Sequence, residues 1–117
     1  RAAIGGQRWL RTADIQRTTE VFLFADAMLG GAGTPLRNTA LLDPPRFFNG
    51  GLWTTNPFPT SCFRHARRTA GGSCQAVRAD GSAAGYASGV LTAPDLLIGS
   101  VGGENDPHYI EDWRRWR

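Results

Sequence analysis

Apolar positions along the chain come in short runs, and most are cut off by Gly, Pro or Asx turn signals within six or seven residues. The strongest run is residues 20–26, Glu-Val-Phe-Leu-Phe-Ala-Asp. It is apolar, β-branched and aromatic, which predicts a strand buried on both faces. Residues 74–79 and 82–88 flank an Asp80-Gly81 pair, and this predicts a hairpin. A type I′ turn over residues 79–82 suits it, because Gly takes positive φ freely and Asp tolerates it. Residues 61–65 read as a further strand. Residues 52–55 read as a short edge strand, closed by Asn56-Pro57-Phe58-Pro59 because proline cannot donate to a ladder. Residues 91–98 carry Pro94 and read as loop plus a short strand. Helical periodicity is confined to residues 8–19 and to residues 109–117, where Trp113 and Trp116 share a face at spacing three. The stretches 36–51, 67–72 and 101–107 read as loops. So does Gly30-Gly31-Ala32-Gly33, which lacks the Lys-Ser/Thr of a phosphate cradle. Residues 23–27 echo residues 77–81, each an apolar strand ending in Ala-Asp plus a small residue, as if two strand ends lay side by side in one sheet.

A chain of 117 residues with 41% hydrophobic and 20% charged residues predicts one domain, residues 1–117, with a modest core. The fold class expected is mainly β (α+β), an antiparallel sheet with hairpins and long loops. All 13 basic residues are Arg and the net charge is only +3. Without a concentrated basic stripe, the charge argues against nucleic-acid binding. No apolar run reaches the roughly 20 residues of a membrane-spanning helix. The chain opens on Arg1, which is read as processing or as part of something longer, with any export or anchoring segment expected upstream.

Candidate chemistry is sparse. Cys62 and Cys74 fit no paired four-ligand zinc pattern. On adjoining strands they suit either a disulfide in an oxidising compartment or two buried thiols. His65 is the natural general base, with Asp26 or Asp80 as the available orienter. Cys62 lies three residues away, on the opposite face of a strand, and no serine sits in a nucleophile elbow. No catalytic residue and no cofactor are therefore assigned. Arg64 and His65 are expected to bond structurally to the Asp80 hairpin or to backbone carbonyls. Glu104, Asp106, Glu111 and Asp112 form an acidic group, and Glu104 and Asp106 are the candidates for a hard cation such as Ca²⁺. The alternative is a solvated acidic loop. The tail Trp113-Arg114-Arg115-Trp116-Arg117 combines two residue types that favour interfaces, and it also suits a membrane surface.

The phrase Phe63-Arg64-His65, followed by Gln75-Ala76-Val77-Arg78-Ala79-Asp80-Gly81-Ser82, resembles the prepilin-type processing-associated His-x9-Asp-Gly domain. That domain forms the C-terminal part of bacterial pseudopilin-like and type IV pilin-like proteins. Residues 12–26 are similar to the family's preceding strand, and residues 105–109 to its C-terminal end. Arg64, His65, Asp80 and Gly81 carry the motif. The chain departs from it in a longer His65–Asp80 spacing, in Gln75 for Asn, and in Thr18 for Pro. The resemblance implies the globular head of a pilin-like protein without its N-terminal helix, a periplasmic or extracellular location, and partners that are other protein subunits. The function expected is a non-catalytic structural or assembly subunit. The alternative is an accessory periplasmic subunit of a membrane complex, for instance a photosynthetic or other bioenergetic one.

Overall fold

A computed structural model describes residues 12–31, 33–65 and 72–111. These residues form ten short strands: β1 (Phe22–Ala25), β2 (Met28–Gly31), β3 (Thr34–Asn38), β4 (Arg46–Asn49), β5 (Leu52–Thr55), β6 (Ser61–Cys62), β7 (Ser73–Arg78), β8 (Ala83–Ala87), β9 (Val90–Ala93) and β10 (Ile98–Ser100). All pairings are antiparallel. One sheet runs β1-β7-β8 and another β6-β10-β9, with β2-β3 and β4-β5 as separate hairpins.

The α+β, pilin-like architecture expected from the sequence is not what forms. Among the described residues, helix is limited to two three-residue 3₁₀ turns, Thr12–Asp14 and Pro94–Leu96. The chain is mainly β, assembled from several small antiparallel sheets with no long helix packed on them. The frequent Gly and Pro explain this, since each ends an element before a helix could repay its nucleation. Of the expected helix over 8–19, residues 8–11 lie outside the described residues. The rest makes a 3₁₀ turn and then a tight turn in which Glu20 and Val21 N–H both donate to Arg17 O. Of the expected helix over 109–117, residues 112–117 lie outside the described residues.

β1 is also not buried on both faces. Val21 and Phe22 are buried, but Leu23 is 47% and Phe24 72% exposed. β1 is an edge strand, and a bulge between Phe22 and Phe24 breaks its alternation. Its outer side is partly covered by the C-terminal loop. His108 O accepts from Phe22 N–H at 2.7 Å, and the His108 ring stacks on Phe22 with centroids 4.6 Å apart. The echoed segments do pair, with Ala25 opposite Ala76 and Phe22 opposite Arg78. Because the pairing is antiparallel, their Ala-Asp ends point to opposite ends of the sheet.

The β7–β8 hairpin forms where expected, with a different turn. Only Gly81 has positive φ (+87°), so both central positions of a type I′ turn are not met. Gly81 N–H donates to Arg78 O, and Arg78 N–H donates to Ser82 O. This is a three-residue loop closed by a glycine bulge. β5 forms over Leu52–Thr55 as expected, while β3 and β4 fall within the stretch 36–51, or just before it, that the sequence reads as loop. Gly33 turns the β2–β3 hairpin, and Gly50 and Gly51, both at positive φ, turn the β4–β5 hairpin.

The two three-stranded sheets meet at Asp26–Ala27. Asp26 N–H donates to Gln75 O of β7, while Asp26 O accepts from Cys62 N–H of β6. Ala27 bridges to Ser61, and beyond β6 His65 bridges to Ser73. Phe63, fully buried, packs at this seam with Cys62, Cys74, Ala76 and Ile98 in the core. Burial of a Phe side chain is worth about 1.5–3 kcal/mol.

Candidate functional site

A group of charged and polar side chains lies on that seam, around the Asp26 carboxylate. β1 ends one residue before it, so its backbone leaves one sheet and enters the other at this point. Arg64 Nη2 lies 2.8 Å from Oδ1, and His65 Nε2 lies 2.8 Å from Oδ2. Gln75 N–H donates to Oδ2 at 3.3 Å. Burial alone would push the Asp26 carboxyl up, but the Arg64 and Gln75 hydrogen bonds, the Arg64 charge and the His65 bond outweigh it. The net result lies below the ordinary Asp value. The carboxylate is 19% exposed, while Arg64 and His65 are 41% and 47% exposed, so the cluster opens to solvent on its basic side.

The sequence offers the Asp80 hairpin or backbone carbonyls as partners of Arg64 and His65, and Asp26 or Asp80 as orienter of His65; in the structure both side chains meet Asp26. Asp80 stands at the hairpin tip, where its carboxylate accepts from Ser82 N–H and Ser82 Oγ. Those two bonds hold its carboxyl below the usual range. The Asp80 and Ala79 N–H groups donate to Thr18 O and Val21 O, which ties the tip to the turn before β1. Asp26 is thus the orienter of His65, and Asp80 a turn residue.

An imidazole held by a carboxylate is half of an acid–base pair, and a nucleophile would complete it. Ser61, fully buried, shares a 2.8 Å hydrogen bond with Tyr109 Oη, which also accepts from Val101 N–H. Burial pushes the Tyr109 phenol up. Ser73 meets His65 through reciprocal backbone hydrogen bonds. The arrangement is built to fasten β6 and β7 to the end of β1.

Glu104 does not present a free carboxylate to a cation. Its two oxygens accept from Arg46 Nε and Nη2, each at 2.8 Å. Asn105, buried completely, exchanges hydrogen bonds with the Arg46 backbone through Oδ1 and Nδ2. Asp106 precedes the cis Pro107. Glu111 accepts from Gln16 and Arg17 N–H. Among the described residues no three His, Cys, Asp or Glu side chains gather as metal ligands. Asp112 and the tail Trp113-Arg114-Arg115-Trp116-Arg117 lie outside the described residues.

Cys62 and Cys74 stand in the structure as two buried thiols, and they are neighbours. Cys74 Sγ lies 3.5 Å from Asp26 O, the same oxygen that accepts Cys62 N–H at 2.8 Å. Desolvation pushes the Cys74 thiol up to about 11. Away from this group, a cleft of about 280 Å³ opens between Met28, Leu29, Phe58, Pro59, Leu96 and Ile98. Sequence reasoning missed the roles of Tyr109 and Arg46, whose contacts with Ser61 and Asn105 span 48 and 59 residues and leave no local signal.

Compared with known proteins, the chain matches no family model, no curated protein and no solved structure.

Proposed function

We propose that this domain is a non-catalytic assembly subunit that acts through protein–protein contacts. One observation carries the reading: among the described residues, more large apolar side chains are exposed than fully buried. Phe24 is 72% exposed, Leu52 69%, Leu41 64% and Phe58 55%. Among the described residues, the buried apolar set holds three side chains larger than valine or cysteine, namely Phe22, Phe63 and Ile98. Single exposed apolar residues are ordinary, but several large ones on a small domain supply apolar area that a partner could cover. The polar side chains of the seam support the same reading, since they are engaged in holding strands together. The motif resemblance of Arg64, His65, Asp80 and Gly81 points the same way, toward subunits of extracytoplasmic assemblies.

Native mass spectrometry of the protein as isolated tests this, beside a Phe24→Ser/Leu52→Ser variant whose fold is checked by circular dichroism. Homo-oligomers, or one copy held among unlike membrane proteins, are expected for the wild type. The variant should dissociate at least tenfold more readily, since losing one or two anchors costs about 1.4 kcal/mol or more. The second kind of complex would single out the accessory-subunit role. A wild-type monomer without partners would sink the proposal.

A further inference from the structure

The geometry points to Cys62 and Cys74 as an intrachain disulfide site that, when oxidised, staples the two sheets together at the Asp26 seam. Three observations bring the pair together. Cys74 Sγ and Cys62 N both address Asp26 O, so sulfur and nitrogen are no farther apart than the sum of those 3.5 and 2.8 Å contacts. The His65–Ser73 bridge sets an antiparallel register in which Arg64 falls opposite Cys74. Farther along, Asp26 alone separates Cys62 from β7, since its carbonyl takes Cys62 N–H and its own N–H goes to Gln75 O, one residue from Cys74. Both side chains are buried, at 2% and 0% exposure, in the same core. Closing the bond requires β6 and β7 to bring the two Cα atoms within about 7 Å of each other, the limit of disulfide reach.

The chemistry is exchange with a small-molecule or protein disulfide. One thiolate attacks the external disulfide, forming a mixed disulfide and releasing one thiol. The second thiolate then attacks the protein sulfur and releases the other thiol. Two protein thiols are oxidised and one external disulfide is reduced. Folded, reduced protein should exchange slowly, because burial disfavours the Cys74 thiolate that must react. The bond should therefore form during folding.

The test is refolding of the full chain from denaturant in a mixture of reduced and oxidised glutathione, followed by thiol alkylation and intact mass measurement with and without prior reduction. The expected result is no alkylation before reduction and two alkylations after it. The oxidised form should melt on the order of 10 °C higher than the reduced form. Two alkylations without reductant, a glutathione adduct, or a disulfide-linked dimer would each overturn the proposal. So would an intrachain bond that leaves the melting temperature unchanged, since the sheets would then not be stapled.

Discussion

Asp26 shows how much one side chain can hold at a solvent-facing seam. Its two oxygens bind Arg64, His65 and the Gln75 amide, but Arg64 and His65 are more than two-fifths exposed. Solvent screens such pairs, so Asp26→Asn should cost about 1 kcal/mol, well short of a fully buried ion pair. The acid limb of stability gives a sharper reading. The folded-state carboxyl is depressed, so its contribution is complete above the unfolded value of about 4 and is lost as pH falls through the folded one. Urea midpoints measured from neutral pH downward should show wild type above Asp26→Asn, with the gap closing below about pH 4. A gap that stays constant with pH would mean that the carboxylate charge contributes nothing. The sequence already offers Asp26 as one of two possible partners of His65, but it does not bring Arg64 to it. It cannot choose Asp26 over Asp80, because that choice depends on the antiparallel pairing of β1 with β7, which sends the two aspartates to opposite ends of the sheet.

Among the elements, those with a turn residue of fixed meaning are the ones the sequence reveals. Asp80-Gly81 locates the β7–β8 hairpin, and Pro57 and Pro59 close β5. The turn type is misread because one positive-φ residue followed by a bulge is as compatible with Asp-Gly as two. The Asp80 carboxylate, bonded to Ser82, favours the bulged form. β2 and β3 are hidden because the glycines at 30, 31 and 33 make residues 30–33 read as loop. Their pairing comes from the partner strand and not from propensity. Two glycines separate conformational need from crowding. Gly81 has φ +87° and open space around it, so Gly81→Ala should cost about 1 kcal/mol. At Gly99 an added Cβ would stand 1.9 Å from Val90 O, where β10 crosses β9, so Gly99→Ala should cost about 3 kcal/mol or more. Denaturant midpoints of the two variants check the order. Equal losses would mean that β9 and β10 do not approach this closely.

For the whole molecule, the composition predicts a small β-rich domain with no long helix of its own devising, yet the phrase resemblance leads toward an α+β head that does not form. Local phrases carry turn chemistry, and turn chemistry is shared by unlike folds. What they omit is the way the chain passes from one sheet to the next at Asp26. There a single residue gives its amide to Gln75 of β7, its carbonyl to Cys62 of β6 and its carboxylate to both neighbours of the seam. Neither sheet can open without breaking a bond that the other also uses, so the domain should behave as one cooperative foldon and not as two. Native-state hydrogen exchange reads this directly. The Asp26, Cys62 and Gln75 amides should exchange together, at the free energy of global unfolding, while the β2–β3 and β4–β5 hairpins exchange earlier. If Cys62 and Gln75 amides exchanged at different free energies, the seam would be a contact and not a shared joint. A shared joint implies that any surface this domain offers is carried by a rigid block, with adaptability confined to the β2–β3 and β4–β5 hairpins.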